Sequence, residues 1–285
     1  MNVSFLTRAT PESQRMYERA AALAATCPPE LGREIAVLGS VARGLADAQS
    51  DLEIALWNVT LPPVTARAGW LADQGVTDLL VSESARSDGS FWIAGRLDGV
   101  PFEASWQTVA ALEAALHRIA AIESFEREVL ALAELIASAQ PLRTVGWLAR
   151  WQALLAVFPP ALERAIIDDV AGRWARAERW AALARLARRG ECLLLAERLV
   201  AELDALLRLL YAVNRRWEPS RKWTLTLAAD LPRMPARWRD RIKAVLCASG
   251  LEAVELCRAL LLDGLALVSP EIDTSVAQTA LRSPL

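Results

Sequence analysis

The stretch that most constrains this chain is Ile35-Ala-Val-Leu-Gly-Ser-Val-Ala-Arg-Gly-Leu-Ala-Asp-Ala-Gln-Ser-Asp-Leu-Glu-Ile54. It opens as a short apolar strand, breaks at Gly39-Ser40, and crosses about one helical turn. It then re-enters a strand in which Asp51 and Glu53 alternate with Leu52, Ile54 and Leu56. Residues two apart on a strand share a face, so both carboxylates point one way and the aliphatic side chains the other. A later strand-like run, Val100-Pro-Phe-Glu-Ala-Ser-Trp106, carries a third acid, Glu103. Its neighbours Phe102, Ala104 and Trp106 single it out from Glu83, Asp88 and Asp98, which read as loop residues. A glycine after a strand lets backbone N–H groups approach phosphate oxygens, and the Ser40 hydroxyl adds a donor. Gly-Ser alone is an ordinary turn, and alternating acids alone are a solvated strand face. Their succession in one stretch favours a site for a divalent cation and a triphosphate.

These residues resemble the signature of the polymerase-β-like nucleotidyltransferase superfamily. The shared pattern is a hydrophobic strand, Gly-Ser, a spacer, acid-apolar-acid, and a third acid on a separate strand. The inner Arg43-Gly44 and Ser50-Asp51 follow the same cadence, and the match by motif covers about the first third of the chain. It departs from the common pattern in carrying Glu rather than Asp at the second and third acids. The resemblance implies that Gly39 and Ser40 hold the β and γ phosphates of ATP or another nucleoside triphosphate. It implies that Asp51, Glu53 and Glu103 hold two Mg2+ or Mn2+ ions, about 3.5–4 Å apart in sites of this kind. The nucleoside monophosphate, AMP from ATP, would pass to a hydroxyl of a small-molecule or protein acceptor. Arg43 either reaches a phosphate or pairs with Asp47 or Asp51, while Asp47 itself is expected to shape the loop.

Composition narrows the alternatives. A formal net charge of −2 gives no pull toward nucleic acid or anionic lipid, and no basic stripe suited to a phosphate backbone is evident. Mean hydropathy is high at +0.22, yet no window of about 18 uncharged apolar residues offers a membrane span. The N-terminal residues show no secretory signal. Cys27, Cys192, Cys247 and Cys257 are far apart and read as reduced, mostly buried thiols, so a cytoplasmic location is expected. With His117 the single histidine, any metal must rest on carboxylates, whose hard oxygens favour Mg2+ or Mn2+.

Along the chain, Pro11–Ala25 predicts a helix capped by Thr10, and Glu34–Leu38 and Asp51–Trp57 predict strands. A helix through about Gln74 follows, then strands over Asp78–Ser82, Phe91–Leu97 and Val100–Gln107, the last two joined by an Asp98-Gly99 hairpin turn. From Thr108 the vocabulary turns to Ala, Leu, Arg, Glu and Trp, predicting helices near 108–121, 124–138, 145–157, 160–189 (broken), 191–214, 234–248 and 250–267. The expected class is therefore α+β: a mixed-sheet nucleotidyltransferase domain over 1–107 and a helical bundle over 108–285. The tail after Pro270 is expected to be loosely held.

Within the helical half, Tyr211-Ala-Val-Asn-Arg-Arg-Trp-Glu-Pro-Ser-Arg-Lys-Trp223 stands out. It resembles the helical-domain segment of bacterial proteins that join a nucleotidyltransferase domain to a bundle, antibiotic adenylyltransferases among them. That resemblance implies that Lys222 lends charge to the triphosphate across an interdomain cleft and that Trp217 or Trp223 stacks on a base or acceptor. The plain reading, equally weighted, is that these tryptophans staple helices. Most of the other tryptophans are expected in cores. Arg164, Arg173, Arg176, Arg179, Arg185, Arg188 and Arg189, interspersed with acids, read as a solvated helix surface. Glu163, Asp168 and Asp169 are candidates for an acceptor base by composition alone. The competing function is a catalytically weak or silent interaction protein on the same fold, antitoxin-like or regulatory. Acceptor, base preference and oligomeric state are left open.

Overall fold

Alternating β-branched and aromatic residues build one mixed sheet, and alanine-leucine periodicity builds the helices around and after it. The computed structural model describes residues 9–285; the expectation about a secretory signal in residues 1–8 falls outside them. The chain divides into two compact units, Met1–Val157 and Phe158–Leu285. The class is α+β.

In the first unit the strands are β1 (Glu34–Val37), β2 (Leu52–Asn58), β3 (Val76–Val81), β4 (Phe91–Leu97), β5 (Val100–Thr108) and β6 (Gln140–Arg143). Their order across the sheet is β3-β4-β5-β2-β1-β6. The central β2–β5 pair is parallel and the other pairs are antiparallel. Asp98 and Gly99 close the β4–β5 hairpin with φ of 50° and 79°, the left-handed pair that matches strand twist in a two-residue turn.

One sheet face is apolar. Ile35, Val37, Leu52, Ile54, Leu56, Ile93, Phe102, Ala104 and Trp106 pack there against Met16, Ala20 and Leu23 of α1 (Pro11–Thr26) and Trp70 and Leu71 of α3 (Val64–Asp73). Thr10 caps α1, its Oγ1 accepting from the Ser13 N–H at 3.1 Å. The opposite face carries the out-of-phase residues of the same strands: Glu34, Glu53, Ala55, Trp57, Glu103, Ser105 and Gln107. It meets α4 (Val109–Ala120), α5 (Arg127–Ser138) and α6 (Trp147–Leu155). Trp57 packs edge-on against Trp151 with centroids 5.3 Å apart and donates to Gln107. Glu34, fully buried, accepts from the Val145 and Trp147 N–H groups at 2.8 and 3.1 Å and so fixes the start of α6 to β1. These contacts explain why the division falls after Val157. The change of composition at 107/108 marks the end of the long strands, whereas β6 still pairs in the sheet and the helices beyond that point still cover it.

The second unit consists of α7 (Pro160–Trp174), α8 (Ala177–Arg189), α9 (Cys192–Val213), α10 (Arg221–Leu227), α11 (Trp238–Cys247), α12 (Gly250–Leu265) and α13 (Ser275–Arg282). At its centre Glu202, with no exposed surface, accepts from Arg173, Arg179 and the Trp174 indole N–H. Two arginines expected on a solvated surface thus neutralise a buried carboxylate, as burial of an ionised acid requires. The tail is ordered as well. Ala277, Ala280 and Leu281 of α13 are buried, and Arg258 of α12 donates to the carbonyls of Ala280 and Ser283. Cys27 and Cys257 are buried, but Cys192 and Cys247 are exposed, so only half of the free thiols match the expected burial.

Candidate functional site

The strand–turn–strand stretch folds into a tight unit. After β1 the chain turns at Gly39 (φ 64°) into the single-turn helix α2 (Gly39–Ala42), and Leu38 N–H donates to the Glu53 carbonyl at 2.9 Å. Glu53 lies against the turn so closely that a Cβ on Gly39 would stand 1.9 Å from Glu53 Oε2. Glycine is thus required twice, for its left-handed backbone and for the carboxylate beside it. Ser40 is buried, and its Oγ has no hydrogen-bond partner among the described residues. The loop onward to Asp51 is pinned to the start of α1: Thr10 Oγ1 donates to the Ala46 carbonyl at 2.7 Å, and Ala46 N–H donates to Ser13 Oγ at 2.8 Å. Asp47 Oδ1 accepts from Gln49 N–H and the Ser50 hydroxyl, the loop-shaping role expected of it.

Asp51 immediately precedes β2 and is half-buried, as are Glu53 and Glu103. In the parallel β2–β5 pair Glu53 stands opposite Glu103, so the two carboxylates lie side by side on one face. Like charges so placed repel. The sequence reading missed the group that answers this. Arg86, in the loop between β3 and β4, donates from Nη1 and Nη2 to the two Glu103 oxygens, both at 2.8 Å. Its guanidinium also lies 5.6 Å from the Trp92 ring centroid. The hydrogen bonds that Arg86 donates to Glu103, with the charges of Glu103, Asp88 and Glu53, outweigh its partial burial and push the Arg86 pKa up. The loop is held by Arg86 N–H to the Ser90 carbonyl and by Gln107 Nε2 to the Asp88 carbonyl, at 2.8 and 2.5 Å.

Arg43 reaches a partner that local spacing does not suggest. Its Nε and Nη2 donate to the two oxygens of Glu134 on α5, the first at 3.0 Å, and Asp47 is engaged within its own loop. The partner is distant in sequence, so local spacing could not reveal it. A cavity lined by Leu38, Glu53, Arg86, Glu103, Gln107 and Ile136 offers about 80 Å³ to water-sized groups. In the second unit, the Lys222 Nζ lies 5.9 Å from the Trp223 ring centroid, and Trp217 packs on Phe158 at 4.8 Å. Glu163 is buried and accepts from Arg215 at 2.7 Å, whereas Asp168 and Asp169 are exposed.

Carboxylate oxygens are the right donors for Mg2+ or Mn2+, but the expected three-acid set is not assembled for one. Both Glu103 oxygens are committed to Arg86, and among the described residues no group of three or more His, Cys, Asp or Glu side chains is arranged to hold a metal ion. No described helix is long and apolar enough to cross a membrane.

The fold and site together define an α+β chain with a carboxylate-bearing sheet face next to a glycine turn. Residues 125–224 match a family described as "Domain of unknown function (DUF4037)". That match, less than half of the chain, begins after β5 and so includes Glu134 and Lys222 but none of the strand acids. The chain is also similar to a solved nucleotidyltransferase-like protein from Exiguobacterium sibiricum 255-15, at 15% identity and a TM-score of 0.37, over 90% of this chain and 77% of that one. At that score the likeness assigns neither activity nor ligand. No curated protein sequence matches the chain.

Proposed function

We propose that the first unit is a nucleotidyltransferase domain that takes a nucleoside triphosphate, ATP as the leading candidate, and passes its nucleoside monophosphate to a hydroxyl acceptor. The observation that carries this reading is the seating of the Glu53 carboxylate against Gly39, in register with Glu103 on the neighbouring strand. Turn and acids thereby form one face, to which a phosphate chain would bring its own negative charge. Mg2+ or Mn2+ would supply the neutralising charge that phosphoryl chemistry needs. In this reading the chain's residues contribute orientation: the Gly39 turn and the Ser40 hydroxyl would contact the phosphates, and Asp51 and Glu53 would stand where charge develops. Incubation with ATP and Mg2+, followed by mass spectrometry of a hydroxyl-bearing panel and of the protein itself, tests the reading. An AMP adduct on any of them supports it, and a panel without adducts counts against it.

A second reading is a nucleotide-binding or protein-binding module without turnover. The Arg86–Glu103 pair favours it, because it leaves one acid of the expected set engaged by a cation of the chain itself. Calorimetry separates the two: ATP binding with no adduct selects the module, and AMP transfer removes it.

A further inference from the structure

Glu103 has its counter-charge within the chain, and the source of that charge differs from what the three-carboxylate pattern implies. The Arg86 fork meets Glu103 with two parallel 2.8 Å hydrogen bonds, the geometry in which guanidinium recognises carboxylate best. The loop carrying Arg86 is not loosely draped. Ser90 N–H and Oγ both donate to Asp88 Oδ1 at 2.8 and 2.6 Å, Gly89 N–H donates to the Arg86 carbonyl, and Ser82 N–H donates to the Trp92 carbonyl. Trp92 backs the guanidinium plane, which limits its rotation. The same cation lies in the field of Glu53, the residue opposite Glu103 on β2.

We infer that Arg86 is a positioning residue and the resident cation of this site, occupying at Glu103 the place that the three-acid pattern gives to a divalent metal ion. Glu103 is then a guanidinium acceptor and not a metal ligand, and any divalent ion bound at this face depends on Asp51 and Glu53. The inference rests on the nucleotidyltransferase reading only for the site's purpose; the competition between Arg86 and a divalent ion at Glu103 is independent of turnover.

The test is a Mn2+ titration of the full chain, with free Mn2+ followed by electron paramagnetic resonance. Arg86→Gln should expose Glu103 and tighten Mn2+ binding about tenfold, the scale of one charge-assisted contact. Glu103→Gln alone should change it less than about twofold, and adding Glu103→Gln to Arg86→Gln should cancel the gain. Arg86→Lys keeps the charge but loses the fork, and should tighten binding by a smaller factor; it serves if Arg86→Gln does not fold. Unchanged affinity in both Arg86 variants overturns the inference, as does a tenfold loss in Glu103→Gln alone. If the unaltered chain takes up no Mn2+, binding by Arg86→Gln supports the inference, and no binding by either overturns it. The AMP-transfer assay reports separately: transfer without Arg86 competition removes this inference alone, and competition without transfer removes the activity alone.

Discussion

At Gly39 a methyl group meets two obstacles, a φ of 64° and Glu53 Oε2 at 1.9 Å. Gly75 (φ 81°) has the same backbone requirement, with nothing within 4 Å of a Cβ. Gly75→Ala should therefore cost only the left-handed penalty of about 1 kcal/mol, whereas Gly39→Ala should cost at least about twice that and displace Glu53. Urea unfolding of the two variants checks this, and equal losses would contradict the close packing of Glu53. The thiols give a second residue-scale prediction. A thiol reagent should titrate Cys192 and Cys247 in the native chain, and Cys27 and Cys257 only on unfolding. Burial, only partly offset by Arg143, pushes the Cys27 thiol up from 9.0 to about 11. The folded state then holds this proton more tightly than the unfolded state. Its contribution to stability is present below pH 9.0 and is lost as pH rises toward 11, a fall that Cys27→Ala should lessen. At this scale the turn at Gly39 and the strand that carries Glu53 were legible because turn and alternation are local patterns. Arg86 and the Arg43–Glu134 pair were not, since their meaning arises only when distant segments meet.

Among the elements, the long periodic ones announced themselves. The first helix, the strand over Phe91–Leu97 and the helix over Cys192–Val213 follow directly from capping, alternation and apolar spacing. The short ones did not. β6 is four residues with Pro141 inside it, which only an edge position tolerates, and among the described residues it pairs with β1 alone. α13 shows little apolar bulk, and its buried face consists of Ala277, Ala280 and Leu281, at helical spacing but mostly small. Leu281 is 2% exposed, so Leu281→Ala should destabilise the second unit by about 2–5 kcal/mol, as buried leucine truncations do. Thermal unfolding measures it; a change within about 0.5 kcal/mol, as for a surface substitution, would mean that the tail is not packed.

For the molecule as a whole, composition located the change from strand to helix but not the division into compact units. That depends on which helices cover the acid-bearing sheet face, and no count of residue types reports it. Residues 1–157 should accordingly fold alone with a cooperative transition, while 1–107 should not. The shorter piece lacks β6, α4, α5 and α6, together with the Val145 and Trp147 N–H groups that satisfy Glu34. Circular dichroism melts of the two fragments decide this, and a cooperative 1–107 would contradict it. The central claim, that the turn and its neighbouring acids are the seat of nucleotidyl transfer, meets its most direct test in pyrophosphate release from ATP with Mg2+, measured for the unaltered chain and for Asp51→Asn. The account predicts release that falls to background in the variant, and release undiminished by that substitution would contradict it.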